Sequence, residues 1–234
     1  MAWLSVVIIL CVLSGCGGRK DPVRDLLKDL DRYPEYSLIV DDTRNEDSLF
    51  PDYALRFQVL TASGRREAGR DTIEYVDRKT DWYSVGEEVF YRYENYVGMV
   101  VASKSLDGHR TGVRQAHPAG YQYVGNSHYG FWGGGGFWQF YGQYALMRDL
   151  MGGYRVGRGD FEDYRRTRER GRPYYGPVKG GRPTFGSQGT VTQKTRPQFY
   201  QRKQNRRQAF SGQAKNRMGR ATSSWGRGSS RTGK

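Results

Sequence analysis

The chain has 234 residues, of which only 36% are hydrophobic, with 32 Gly, 18 Tyr and a formal net charge of +14. So much glycine and charge disfavours one large core, because these residues add ordering entropy without burying side chains. A disulfide scaffold is excluded too: the two cysteines, Cys11 and Cys16, both lie in the first segment.

The charge is unevenly placed. Residues 1–164 hold 19 Lys+Arg against 23 Asp+Glu, whereas residues 165–234 hold 19 Lys+Arg and a single acid, Glu169. This reads as an acidic-to-neutral body followed by a cationic arm that attracts polyanions at low salt.

Residues 2–15 carry no charge and are rich in Val, Ile and Leu, ending in Leu13-Ser14-Gly15-Cys16. This resembles the lipobox of bacterial lipoprotein precursors. The resemblance implies a signal peptide over 1–15, lipid attachment at Cys16, and a short anchor and linker over 16–20. Several acyl chains at the new N-terminus would give firm membrane residence, where a single chain would be marginal. Nothing before Arg19 is basic, unlike the usual signal segment, which an upstream start would explain. The alternative, an uncleaved anchor, is short against the ~20 residues a spanning helix needs. Processing at Cys16 would leave the body without a thiol for a disulfide, a zinc site or a nucleophile.

Asp21-Pro22 followed by Val23, Leu26, Leu27 and Leu30 predicts an amphipathic helix with an Asp cap and Pro in its first turn, ended by Tyr33-Pro34. Ser37–Val40 reads as a short strand. Residues 41–52 read as an acidic loop. Asp41, Asp42, Glu46, Asp47 and Asp52 lack the D-x-D-x-D-G calcium spacing, so a solvated loop is expected.

Alternation predicts a half-buried strand over Tyr53–Thr61, with Tyr53, Leu55, Phe57 and Val59 on one face. Ser63-Gly64 suggests a turn, and Asp71–Asp77 a second strand. Ser84-Val85-Gly86-Glu87 matches a capping box opening a helix to about Tyr96. Asp107-Gly108, between Val97–Ser105 and His109–Gln115, signals a tight hairpin. The expected fold class is α+β: a small, mainly antiparallel sheet with short helices over 21–125. An aromatic and Gly-rich segment with one helix (126–164) and a disordered basic tail rich in Gly, Arg, Ser and Gln (165–234) follow. Within that segment Gly133–Gly136 reads as a flexible spacer and Phe137–Met151 as the helix.

The blocks PAGYQYVGNSHYG and FWQFYGQYA, with the Gly/Arg/Ser-rich tail behind them, resemble a family of uncharacterised bacterial envelope lipoproteins. The resemblance covers most of the chain after the lipobox. It implies an address in the cell envelope and supplies no catalytic residues.

Candidate chemistry is sparse. His109, His117 and His128 lie in turns or Gly-rich stretches without zinc-site spacing, so no metal and no cofactor is expected. No G-x-S-x-G, H-E-x-x-H or P-loop motif occurs, so no catalytic residue is assigned. Arg158-Gly159-Asp160 is a chance tripeptide in a stretch rich in those residues. Cys16 is the one assigned site, and Gly17 after it favours the outer membrane of a Gram-negative host. The expectation is a lipid-anchored envelope protein with a structural or interaction role. Its partners would be the membrane through acylated Cys16, an anionic envelope polymer at the tail and a protein at the body. The alternatives are an enzyme without a recognisable motif, or a cytoplasmic Arg/Gly-rich binder of nucleic acid, which an envelope address disfavours.

Overall fold

A computed structural model describes residues 21–46, 52–67 and 70–223. The signal segment 1–15, Cys16 and the linker to residue 20 lie outside the described residues, as does Asp47. Among the described residues no helix is long and apolar enough to cross a membrane.

The fold is α+β, as the patterning predicts. Helix α1, Pro22–Leu30, starts where expected: the Asp21 carboxylate accepts a hydrogen bond from the Val23 amide at 3.0 Å, and Pro22, Val23, Leu26 and Leu30 are buried. Strands β1 (Glu35–Glu46), β2 (Asp52–Glu67) and β3 (Arg70–Lys79) form an antiparallel meander. After β4 (Tyr83–Val85) and helix α2 (Glu87–Tyr93), strand β5 (Met99–Lys104) returns beside β1. Two-residue strands β6 (Arg110–Thr111) and β7 (His117–Pro118) pair with β5, and β4 pairs with β2. The resulting seven-stranded sheet has the order β3-β2-β1-β5-β6 along its main path.

Three boundaries differ from the sequence reading, each for a local reason. The acidic stretch does not leave the sheet at residue 41, because cations meet its carboxylates. Asp41 is the extra residue where the β1–β2 register shifts between Val40 and Asp42. Its buried carboxylate lies 2.7 Å from Arg56 Nε and 3.1 Å from Lys79 Nζ. Ser63-Gly64 is no turn, since the β2–β3 ladder runs unbroken from Gln58↔Lys79 to Glu67↔Arg70. The second helix is capped at Gly86, not Ser84, whose hydroxyl instead donates to Asp52 at 3.0 Å. The Asp107-Gly108 hairpin forms as read, with Gly108 at φ +80 and the Asp107 carboxylate accepting from the His109 amide.

Both faces of the sheet are covered. Phe57, on the face shared with Leu55 and Val59, meets the Tyr93 ring of α2 at 6.3 Å. On the other face Leu60 packs with Tyr123, Tyr129, Tyr144 and Met147, and Ile39 and Val100 pack with Ala119. The aromatic segment is therefore the second layer of the body. The sequence reads β2 as half-buried, whereas the packing expected of residues 137–151 on the body or on a partner is realised against its second face.

The helix expected over Phe137–Met151 forms only in its second half. Strands β8 (Gly130–Trp132) and β9 (Trp138–Phe140) make a hairpin, followed by a 3-10 turn at Gly142–Tyr144 and the short helix α3, Ala145–Leu150. Gly133–Gly136 is the hairpin's ordered loop: the Gly133 amide donates to the Phe137 carbonyl at 3.0 Å, and Gly136 takes φ +74.

The expected tail divides in two. Residues 165–194 belong with the body. Helix α4, Arg158–Glu169, crosses the expected boundary, and the chain then runs through the small hairpin β10 (Val178–Lys179) and β11 (Arg182–Pro183) to α5 (Thr190–Thr195). Buried Tyr174 and Phe185 meet the Tyr121 ring at 5.6 Å each, and the Tyr174 amide donates to the Ala116 carbonyl at 2.9 Å. Isolated aromatic anchors thus hold an Arg- and Gly-rich stretch in place. Thr195–Lys234 forms a unit of its own, whose described part consists chiefly of helix α6, Pro197–Ser223, rich in Gln and Arg.

Candidate functional site

The residues singled out in the sequence do not converge. Cys16 lies outside the described residues. Of the acidic group, Asp41 and Asp42 are engaged by Arg56, and among the described residues no cluster of three or more His, Cys, Asp or Glu suits a metal ion. His109 lies on the β5–β6 hairpin turn, His117 in β7, and His128 beside Tyr144, whose hydroxyl lies 2.9 Å from His128 Nε2. Asp160 of the Arg-Gly-Asp tripeptide caps α4, accepting from the Gly157 amide at 3.2 Å and from the Tyr154 hydroxyl at 3.1 Å.

The structure does form a cleft of about 330 Å³ where β9, α3 and residues 154–156 meet. Trp138, Phe140, Tyr141 and Tyr154 line it together with Arg148 and Arg155. Its geometry follows from the hairpin. Gly130 lies so close to β9 that a Cβ there would sit 2.1 Å from the Gln139 carbonyl oxygen. The Trp138 amide donates to the Val156 carbonyl at 2.9 Å and the Arg158 amide to the Gly136 carbonyl at 3.1 Å, which ties the hairpin to the start of α4.

Two lining residues, Arg155 and Tyr154, take part in cation–ring contacts, and the β8–β9 hairpin makes a third with Arg158. The Arg155 guanidinium lies 4.4 Å from the Phe137 ring centre, Arg158 lies 4.8 Å from Trp132, and Lys179 Nζ lies 5.8 Å from Tyr154. Phe131 and Tyr141, 5.8 Å apart, remain 48% and 42% exposed, so they extend an open aromatic face beside the cleft. Among the described residues no carboxylate lines the cleft. The nearest acid to its guanidiniums is Asp149, 3.5 Å from Arg148 Nε at an exposed pair, which contributes little. Trp138 is 7% exposed, and its indole Nε1–H has no partner among the described residues. The lining is therefore rich in donors and positive charge.

Glu35 and His117 are also buried in the body. Glu35 is 2% exposed and accepts from the Tyr75 hydroxyl at 2.6 Å and the Tyr129 hydroxyl at 3.1 Å. Burial raises its carboxyl above the usual range, and the two phenols partly offset that. His117 is 1% exposed, and its Nδ1–H donates to the Gln115 carbonyl at 3.1 Å. Burial lowers its imidazole to about 4. Glu35 joins the sheet to the aromatic layer, and His117 lies under the Tyr164 ring. Both are parts of the packing, distinct from the cleft.

Compared with protein-family models, curated proteins and solved structures, the chain matches none. The functional reading rests on the site itself.

The sequence reading passed over Arg148, Arg155 and Trp138. The available signal was the alternation Trp138-Gln139-Phe140 after a glycine run, which suits a strand better than a helix.

Proposed function

We propose that this chain is a lipid-anchored protein of the bacterial envelope, held by acylated Cys16 in the outer membrane, and that it holds an anionic cell-surface polymer. The Leu13-Ser14-Gly15-Cys16 context supports the anchor. The observation that carries the binding role is the cleft, with Arg148 and Arg155 among exposed aromatic rings and no lining carboxylate. Such a surface favours ligands that combine negative charge with apolar faces. Residues 195–234 add 11 Lys+Arg and no acid, giving a second, less selective attraction for the same polymer.

The test is retention of the mature full-length chain on immobilised lipopolysaccharide, with neutral dextran as control. Binding should fall steeply with salt, because its electrostatic part is screened. Replacing both Arg148 and Arg155 by Ala should weaken it at least tenfold, since even one charge-assisted hydrogen bond is worth about 1.5–3 kcal/mol. Equal retention on dextran, or none at low salt, rejects the reading.

A further inference from the structure

We infer that the cleft between β9, α3 and residues 154–156 takes one sugar unit bearing a carboxylate or phosphate, as the recognised element of the polymer. This inference rests on the binding role proposed above and adds the ligand class.

Size comes first. A cleft of about 330 Å³ lies at the small end of ligand pockets, which run from about 300 to 1,000 Å³, so it admits a single ring rather than a length of polymer. The chemistry of the walls comes second. Phe140, Tyr141 and Tyr154 offer aromatic surface of the kind on which the C–H face of a pyranose rests. Arg148 and Arg155 supply planar, multiply donating cations suited to the paired oxygens of a carboxylate or phosphate. Buried Trp138 adds apolar surface at the back of the cleft, its indole N–H being enclosed by the protein.

The balance of donors and acceptors separates a sugar from a nucleotide. Gln139 is the one side-chain amide in the lining, and no carboxylate accompanies it. The N–H groups on a base edge would find few acceptors there. Sugar hydroxyls accept from guanidinium donors, and an acidic substituent accepts more strongly still. The exposed rings of Phe131 and Tyr141 beside the cleft would carry neighbouring units of the same chain.

The experiment is saturation-transfer NMR on the mature full-length protein with glucuronate, glucose 6-phosphate, glucose, inorganic phosphate and thymidine monophosphate as separate probes. Transfer should reach ring protons of one or both anionic sugars, with affinity about tenfold above glucose; comparing the two identifies the acidic group. Phosphate should compete only weakly against the bound sugar. Arg148→Gln with Arg155→Gln should lower the affinity about tenfold while leaving the melting temperature unchanged, as both side chains are exposed. No transfer to either anionic sugar, equal transfer to glucose, or stronger transfer to the nucleotide overturns the inference. Salt-sensitive retention on lipopolysaccharide alongside any such result leaves the broader binding role standing; its loss as well removes both.

Discussion

Glu35 and Tyr129 are 94 residues apart in sequence, yet the Tyr129 hydroxyl donates to Glu35 Oε2 at 3.1 Å. Tyr75 donates to the same oxygen at 2.6 Å, so one carboxyl at the start of β1 joins the edge strand β3 to the aromatic layer. The cleft is built on that layer, and the interaction helps to fix its seat on the sheet.

This arrangement has a pH signature. Burial raises the Glu35 carboxyl above its ordinary 4.5, so ionisation is easier in the unfolded chain. Its contribution to stability is full below 4.5 and is lost as pH rises through the raised folded value. Glu35→Gln, neutral throughout, removes that loss. Thermal melts from pH 4 to 7 should show the variant gaining on the wild type as pH rises. A constant or shrinking difference contradicts the assignment.

His117 has the opposite sign. Its imidazole titrates at about 4 in the fold against 6.5 when free, chiefly through burial and secondarily through repulsion from Arg168. The fold holds the neutral form, so its contribution is full above 6.5 and is lost as pH falls toward 4. A shift of that size corresponds to about 3 kcal/mol at most. His117→Gln should lower stability at neutral pH and flatten the slope between pH 6.5 and 4. The two titrations overlap in the wild type, so each is read as a difference from its own variant.

The hairpin beneath the cleft depends on one glycine. A Cβ at Gly130 would collide with the backbone of β9, whereas one at Gly134 would meet nothing within 4 Å. Gly130→Ala should therefore cost about 1–3 kcal/mol, as overpacking does, and disturb the near-ultraviolet circular dichroism from Trp132 and Trp138. Gly134→Ala should leave both unchanged. Equal behaviour of the two variants would show that the close approach of β8 to β9 does not set the geometry.

Anchoring has its own test. Cys16→Ser removes the thiol that takes the lipid, so labelled fatty acid should no longer be incorporated and an unprocessed precursor should accumulate. Acyl labelling at the wild-type level in this variant would end the lipoprotein reading. Sedimentation of the wild type with inner-membrane markers would contradict the outer-membrane placement alone.

What the sequence made legible was local. The Asp21 cap, the period of Val23, Leu26 and Leu30, the alternation around Leu55 and the Asp107-Gly108 turn each act within a few residues. The second layer was hidden because it depends on contacts between distant residues, such as Leu60 with Met147 and Glu35 with Tyr129. Residues 165–194 read as tail because Arg and Gly dominate their composition. Their anchoring falls to single aromatics, Tyr174 and Phe185, which leave no periodic signal. The cleft was missed for both reasons: its arginines come from α3 and from the segment before α4, and its rings from a hairpin read as a helix.

The most direct measurement places a photo-crosslinking amino acid at Tyr141, which is 42% exposed at the edge of the cleft, in cells producing the full-length protein. Irradiation followed by membrane isolation should yield an adduct that stains for carbohydrate, resists protease and nuclease, and disappears when Arg148 and Arg155 are both replaced. An adduct that is protein or nuclease-sensitive, or a carbohydrate adduct that persists without those arginines, would contradict the assignment of this cleft to an anionic glycan.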